Sequence, residues 1–219
     1  MKKTTLLVLA FGAFLASCSD NGKQVESSEA KEVETVQTET SVEYATIKEG
    51  SYIDWRASHL GGAEPRFGKM YLQSANIVTN NSNIDNATIV VDMNTITVEN
   101  FGDDKETSEK LRGHLLSPDL FNTETYPTAK FELTGIAEGT GEFNSAITGN
   151  LTILKTTKSI TFNANVNVSD NEISIVSEDF AIVRQDWGII YNTEGDEGVA
   201  AEYVIANDIG FTVNVTITK

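Results

Sequence analysis

Apolar and polar residues alternate most regularly in two stretches of this chain. In residues 211–217 every second residue is apolar, and Thr or Asn stands between them. Residues 162–168 repeat the pattern, with Asn at each position between Phe162, Ala164, Val166 and Val168. Because successive side chains of a strand point to opposite faces, this period of two predicts strands with one apolar and one solvated face.

Weaker alternation predicts further strands over 52–58, 67–78, 87–98, 129–136, 146–154, 172–177 and 179–184. Short turns rich in Gly, Asn or Asp separate them, as at 80–83, 139–141 and 169–171. Eight or nine antiparallel strands with short turns are typical of a sandwich or a barrel. We favour an all-β barrel, because closure removes the exposed strand edges at which chains aggregate.

One stretch departs from this rhythm and predicts a short amphipathic helix over 103–116. Its acids come first and its bases later, and Leu111 and Leu115 are spaced to share one helical face. Ser117-Pro118 should end the helix, because the residue before proline avoids helical angles. The sequence leaves open whether the helix closes one mouth of the barrel or packs outside it.

The start of the chain has the pattern of a secretory signal. Lys2 and Lys3 precede an apolar run from Leu6 to Leu15, which is too short for a membrane-spanning helix of ~20 residues. Ala16-Ser17-Cys18 resembles the lipobox of bacterial lipoproteins, and Cys18 is the chain's one cysteine. The resemblance implies cleavage after residue 17 and acylation of Cys18. The alternative is ordinary secretion with a free thiol.

Residues 18–49 follow as a polar, acidic segment, for which we expect a flexible tether ahead of a folded domain at 50–219. The formal net charge is −16, and removal of Lys2 and Lys3 with the signal makes it −18. So negative a chain is repelled by phosphate backbones, which argues against a nucleic-acid partner. Charge would not draw it to anionic headgroups either, so anchoring would depend on the acyl chains.

Several separated motifs, in order, resemble the YceI-like family. The most specific are Leu111-Arg112-Gly113-His114-Leu115, Tyr126-Pro127-Thr128-Ala129-Lys130-Phe131 and the hairpin that begins Ile147-Thr148-Gly149-Asn150-Leu151. The chain departs from the family pattern at Leu116, at Leu120 and in the hairpin turn 154–156, where a glycine is expected. The resemblance covers about residues 50–219.

This resemblance implies an extended, antiparallel, eight-stranded, lipocalin-like barrel with one short helix. It also implies a long apolar ligand in the interior, a polyisoprenoid or an isoprenoid quinone, and no cofactor. The apolar strand positions expected to line the interior are Trp55, Phe67, Ile89, Val91, Met93, Phe131, Leu133, Leu151, Ile153, Phe162, Ala164, Val166, Phe180, Ile182, Phe211, Val213 and Val215. The same residues filling a solid core is the alternative.

Few polar residues stand out as candidates for chemistry. Arg56, His59 and Arg184 lie among apolar strand residues, and we expect them at a barrel mouth, where they would orient a headgroup. For His114 we favour a structural role at the end of the helix. No spaced His or Cys pattern indicates a metal site, and no nucleophile–base motif indicates an enzyme.

The leading hypothesis is therefore a membrane-anchored carrier or buffer for an isoprenoid lipid. Two alternatives stay open: an envelope scaffold with a filled barrel, and an enzyme using His59, His114 or Arg184 at the mouth. A homodimer is compatible with the sequence. We expect the cell envelope, with the outer membrane facing the periplasm preferred over the cell surface.

Overall fold

A computed structural model describes residues 21–33 and 40–219. Cys18 and the signal segment 1–17 lie outside the described residues. Within these ranges the strands are β1 (Lys23–Gln24), β2 (Ser28–Glu29), β3 (Val42–Tyr44), β4 (Thr46–Ile47), β5 (Tyr52–Ala57), β6 (Arg66–Asn80), β7 (Asn83–Asp92), β8 (Thr128–Glu138), β9 (Ser145–Ile153), β10 (Thr156–Val168), β11 (Glu172–Ser177), β12 (Phe180–Val183) and β13 (Asp208–Thr218), and the one α-helix is α1 (Lys105–Leu116).

Eight strands close into an antiparallel ring. Strands β5 to β11 pair with their neighbours in sequence order, β11 pairs with β13, and β13 pairs with β5. Strand β12 continues the line of β11 along the same edge of β13. The structure thus confirms the eight-stranded barrel with one helix, and each wall strand has partners on both edges.

The regular alternation places one face of each strand inside the barrel. Phe162, on β10, stacks on Phe180 with ring centroids 4.5 Å apart. Phe180 in turn lies 5.9 Å from Phe211 on β13. Phe180 and Phe211 are directly paired positions of β12 and β13, so the row of aromatic rings extends from β10 to β13 along the inner face of the wall.

Some strand boundaries differ from the expected ones. The strand expected over 87–98 ends at Asp92, whose side chain accepts a hydrogen bond from the Asn94 amide and starts a short 3₁₀ turn. Thr97 then lies beside β6, where its amide donates to the Lys69 carbonyl over 2.8 Å. Strand β10 is longer than expected and begins at Thr156.

Helix α1 lies across one end of the barrel. Asp104 caps it by accepting a hydrogen bond from the Thr107 amide, and the Thr107 contacts lower the pKa of the Asp104 carboxyl. Arg112 donates to the carbonyls of Ile96 (2.9 Å) and Asn94 (2.6 Å), which fixes the helix to the segment after β7. We call this end the helix end of the barrel.

The segment 21–33 fills a gap in the barrel wall. Strands β10 and β12 separate towards the helix end, and between them β1 pairs with β12 while β2 pairs with β10. Val25 is buried there, and its amide donates to the Ala181 carbonyl over 2.8 Å. Two hydrogen bonds join Lys31 to Asn150 on β9. The Lys31 backbone amide donates to the Asn150 side-chain oxygen, and the Asn150 side-chain nitrogen donates to the Lys31 carbonyl.

The segment 40–47 is attached to the wall as well. Strand β3 pairs with β6, and β4 pairs with β13. The Tyr44 ring is buried, and its hydroxyl donates to the Ser169 carbonyl over 2.7 Å. Within the described residues 21–33 and 40–47, this differs from the flexible tether expected over 18–49, because backbone groups of the wall strands offer pairing sites that composition does not reveal.

Gly210 tests the attachment of the N-terminal segment. A Cβ atom at this position would lie 2.0 Å from the Asn21 carbonyl oxygen, so one of the two backbones must move. We expect Gly210→Ala to lower the free energy of unfolding by about 1–3 kcal/mol, as overpacking does. Residues 21–33 should also become sensitive to limited proteolysis.

Gly113→Ala is the matched control, since a Cβ atom there meets no other atom within 4 Å. Inside a helix this change should be neutral or stabilising by about 0.5–1 kcal/mol. Urea unfolding measures the stability of both variants. Equal stabilities would contradict the close contact between Gly210 and Asn21.

Candidate functional site

The barrel encloses an apolar cavity of about 130 Å³, cavity 1. Its exposed lining is entirely apolar, with side chains contributed from β5 round to β13. Along β7 the lining extends from Ile84 to Val91, close to the full length of that strand. The interior is thus an apolar space that side chains leave unfilled.

A second cavity, cavity 2, of about 270 Å³, lies at the helix end. Trp55, Ile209 and other barrel residues form its floor, and Leu111 and Leu115 of α1 cover it. The helix therefore closes this mouth of the barrel, which the sequence left undecided. Tyr203 lines the cavity and is 60% exposed, so cavity 2 reaches the protein surface beside it.

The two cavities adjoin at three residues that line both: Met70, Phe121 and Phe211. A dry apolar cavity of about 150 Å³ holds one benzene molecule, so on that scale the two cavities hold a chain of roughly fifteen carbons. A longer chain needs side chains to move. Met70 is suited to this movement, because its unbranched side chain changes shape at little cost.

Most of the expected lining residues do line the cavities. Trp55 lines cavity 2, Phe211 lines both, and cavity 1 is lined by Ile89, Val91, Met93, Phe131, Leu133, Leu151, Ile153, Phe162, Phe180, Val213 and Val215. Met70, Ile147 and Ile160 also line cavity 1 and were not expected, although each occupies an inward position of its strand.

Phe67 is placed differently from the expectation. It is 44% exposed on the outer face of β6, while its neighbours Gly68 and Met70 face inward. A β-bulge between Leu72 and Ser74 reverses the phase of this strand, so one alternating pattern cannot describe its whole length. Ala164, Val166 and Ile182 pack in the core but do not line either cavity.

The three headgroup candidates separate into two groups. His59 and Arg184 line cavity 2. Arg56 faces outward, where it donates to the Thr212 hydroxyl over 3.0 Å and forms a 3.2 Å ion pair with Asp179. Adjacent residues of a strand face opposite sides, and Trp55 on β5 faces inward, so Arg56 faces outward.

Arg184 is 1% exposed and forms no ion pair among the described residues. Its guanidinium instead donates to backbone carbonyls, those of Ile189 (2.8 Å), Tyr191 (3.0 Å), Ile205 (3.1 Å) and Ala206 (3.0 Å). Burial lowers the pKa of the Arg184 guanidinium, and the charge of Asp196 opposes this. A guanidinium keeps its proton in proteins, so Arg184 places a positive charge beside cavity 2.

Two further basic side chains, Arg66 and His114, line cavity 2. His114 lies 3.3 Å from Asp119 and meets the Tyr191 ring edge-on, with centroids 5.0 Å apart. His114 shares a helix face with Leu111, three residues earlier, and from this spacing the sequence could have predicted that His114 also faces the barrel mouth. The Nδ1 atom of His59 is buried and has no hydrogen-bond partner.

Residues 21–33 and 40–219 contain no group of three or more His, Cys, Asp or Glu side chains placed to hold a metal ion. In the same part of the chain, no helix has the length and apolar character needed to cross a membrane. What the site offers is an apolar interior and a mouth with basic groups at its wall. This arrangement suits the burial of an apolar chain.

Comparisons with known proteins agree with this architecture. The sequence profile described as the YceI-like domain matches residues 44–217. UPF0312 proteins of Pseudomonas putida strains W619 and GB-1 are 30% identical to the chain over 129 residues, which is 58% of this chain. The match spans 63% of the length of these relatives.

Two solved structures share the fold. BcnA of Burkholderia cenocepacia has a TM-score of 0.56 and 17% identity, over 76% of this chain and 95% of BcnA. A polyisoprenoid binding domain from Saccharophagus degradans, described as implicated in plant cell wall breakdown, has a TM-score of 0.55 and 16% identity. That match covers 80% of this chain and 98% of the domain.

Arg184 gives a direct test of how the mouth is built. We expect Arg184→Met to lower the free energy of unfolding by about 3 kcal/mol or more, because several buried carbonyls lose their donor at once. Arg184→Lys should restore little, since an ammonium has fewer donors and no planar fork.

Arg56→Met is the control, because the Asp179 carboxylate of the Arg56–Asp179 ion pair is open to solvent and such a pair is worth less than about 1 kcal/mol. Urea unfolding measures all three variants. A loss at Arg184 no larger than that at Arg56 would show that the buried hydrogen bonds do not support the mouth.

Proposed function

The chain belongs to the YceI-like family, and from this premise we propose that it binds a long apolar lipid of the isoprenoid class inside its barrel. The observation that carries the proposal is the lining of cavity 1, which exposes apolar surface only. A related fold is described as a polyisoprenoid binding domain, which supports the same class of ligand. The role is binding and not catalysis.

Burial of hydrocarbon supplies enough free energy for this role. Each methylene group that leaves water contributes about 0.8 kcal/mol, so a chain of ten or more carbons binds firmly without any hydrogen bond. The interior can also stay open without collapse, because the wall is held by its ring of backbone hydrogen bonds. Polar groups are needed only at the mouth.

The positive charge beside cavity 2 suits the polar end of such a lipid. Arg184 supplies this charge. Arg66 and the two histidines also line the cavity, with Glu64 beside Arg66 and His59 and with Asp119 beside His114. We propose that the chain of the lipid occupies cavity 1 and that its headgroup stays in cavity 2. A ligand longer than the free space enters by displacing Met70 and Phe211 at the junction.

We further propose that Cys18 is acylated and that the protein is held at a membrane of the cell envelope. The support is the pattern of residues 1–18, which resembles a lipoprotein signal. Our preferred location is the outer membrane facing the periplasm. An anchored carrier of this kind would take up and release its cargo at the bilayer surface.

The interior is tested by filling it. Ala87 lines cavity 1 from β7, and Thr88 is the next residue on the opposite face. We expect Ala87→Phe to reduce the isoprenoid retained by the purified protein by about tenfold or more, which corresponds to a loss of about 1.4 kcal/mol. The matched variant Thr88→Phe should retain as much as the unmodified protein.

Solvent extraction and native mass spectrometry measure the bound lipid, before and after incubation with an isoprenoid alcohol. Circular dichroism checks that both variants are folded. The proposal is overturned if the unmodified protein neither retains nor takes up isoprenoid, or if both variants behave alike. In that case the barrel is a scaffold and its cavities are not a binding site.

A further inference from the structure

Three segments form the rim of the barrel at the helix end: 59–62, 189–193 and 201–205. Each presents a large apolar side chain to solvent, with Leu60 43%, Ile190 64% and Tyr203 60% exposed. These are the kind of exposed apolar groups that mark a contact surface when they gather around one opening. Here they surround the mouth of cavity 2, which Tyr203 itself lines.

Hydrogen bonds hold the three segments as one surface. The Leu60 amide donates to the Val204 carbonyl over 2.8 Å, and the Ile205 amide donates to the Asn192 carbonyl over 3.0 Å. The Asn192 side chain donates to the Tyr203 carbonyl over 3.1 Å. Arg184 binds carbonyls of two of the segments from below, so the exposed residues keep fixed relative positions.

The point at which the chain enters the barrel lies near this same end. Asn21 packs on Gly210, and its side chain donates to the Asp208 carbonyl at the first residue of β13. Cys18 is three residues earlier, and three residues extend at most ~11 Å. The opposite end of β13, Thr218, is eight residues from Gly210, or about 26 Å along the strand.

An anchor at Cys18 can therefore bring the rim to a membrane, but it cannot bring the opposite end there. That opposite end is also less apolar. Ile136 is its exposed large apolar residue on β8, at 39%, and the acids Glu138 and Glu142 follow it closely. The length of chain before Asn21 and the position of the apolar residues thus indicate the same end.

We propose that the rim is a membrane-contacting surface that seats the mouth of cavity 2 on the bilayer to which Cys18 is anchored. Leu60 and Ile190 insert their side chains among the lipid headgroups, and Tyr203 places its ring at the interface with its hydroxyl in water. The inference rests on the proposed function, because contact between the rim and the bilayer gives the bound lipid its entry route.

The charge of the rim determines whether it fits a zwitterionic or an anionic bilayer surface. Glu194, Asp196, Glu197 and Glu202 lie in and between the rim segments. Anionic headgroups would be repelled by these carboxylates, so the rim fits a zwitterionic bilayer surface. We expect contact on phosphatidylcholine vesicles and weaker contact when anionic lipid is added.

A depth measurement tests the contact. The acylated full chain carries a single introduced cysteine, Ile190→Cys at the rim or Asp170→Cys in the β10–β11 turn at the opposite end. Because acylation blocks the thiol of Cys18, an environment-sensitive fluorophore labels only the introduced site. In phosphatidylcholine vesicles the probe at 190 should be quenched by spin-labelled lipid, and the probe at 170 by aqueous iodide.

A second measurement follows lipid entry. Leu60→Glu/Ile190→Glu removes two of the three exposed apolar side chains of the rim, and neither residue lines a cavity. Uptake of isoprenoid from vesicles should slow by about tenfold, while lipid loaded from detergent should be retained as before. The control is Val176→Glu, which changes a 44% exposed apolar residue on the wall and should leave uptake unchanged.

The proposal is overturned if both probes are quenched by iodide alone, or if the double variant takes up lipid as fast as the control. Either result would leave the rim as a surface for a protein partner. Failure of the proposed function is separate, because a barrel that never holds isoprenoid can still show a buried probe at position 190.

Discussion

Closure of the hydrogen-bonded ring is the constraint on which the rest of this structure depends. Once β13 pairs with both β5 and β11, the eight wall strands form one ring, and its single gap, between β10 and β12, is filled by β1 and β2. Backbone polar groups are then paired within the wall, so the inward faces can be apolar throughout. A cavity persists inside because backbone hydrogen bonds between the strands, and not side-chain packing alone, keep the barrel wall in shape.

The ring is incomplete where β10 and β12 separate, and the N-terminal segment repairs it. Strands β1 and β2 supply the missing partners, and Asn21 is seated against the glycine backbone of Gly210. Segment 21–33 is therefore a part of the barrel wall and not a spacer. This shortens the free chain between the barrel and an anchor at Cys18, and so limits how the domain can be oriented at a membrane.

The helix end depends on a buried cation. Arg184 satisfies carbonyls of segments that have no regular secondary structure of their own, and each of these carbonyls would otherwise be buried without a partner. Because these carbonyl partners are neutral, they do not cancel the positive charge of the guanidinium beside cavity 2. One side chain thus shapes the mouth and gives it positive character, while the apolar interior beyond it favours hydrocarbon.

Sequence and structure contributed different parts of this picture. The alternation at 162–168 and 211–217 predicted strands and their inward faces, and most of the lining residues followed from it. Phe67 was placed wrongly, because the bulge after Leu72 reverses the phase of β6. The attachment of Val25 and Tyr44 was missed, because their segments are too polar to predict burial.

By itself the sequence determined the strands, the helix and the apolar character of the interior, since these follow from residues that are near neighbours along the chain. Tertiary structure alone decided that Arg184 is buried and Arg56 exposed, that Asn21 lies on Gly210, and that Leu60, Ile190 and Tyr203 surround one mouth. Those relations join residues that are distant in sequence. They exist only when the ring has closed and fixed which strands are neighbours.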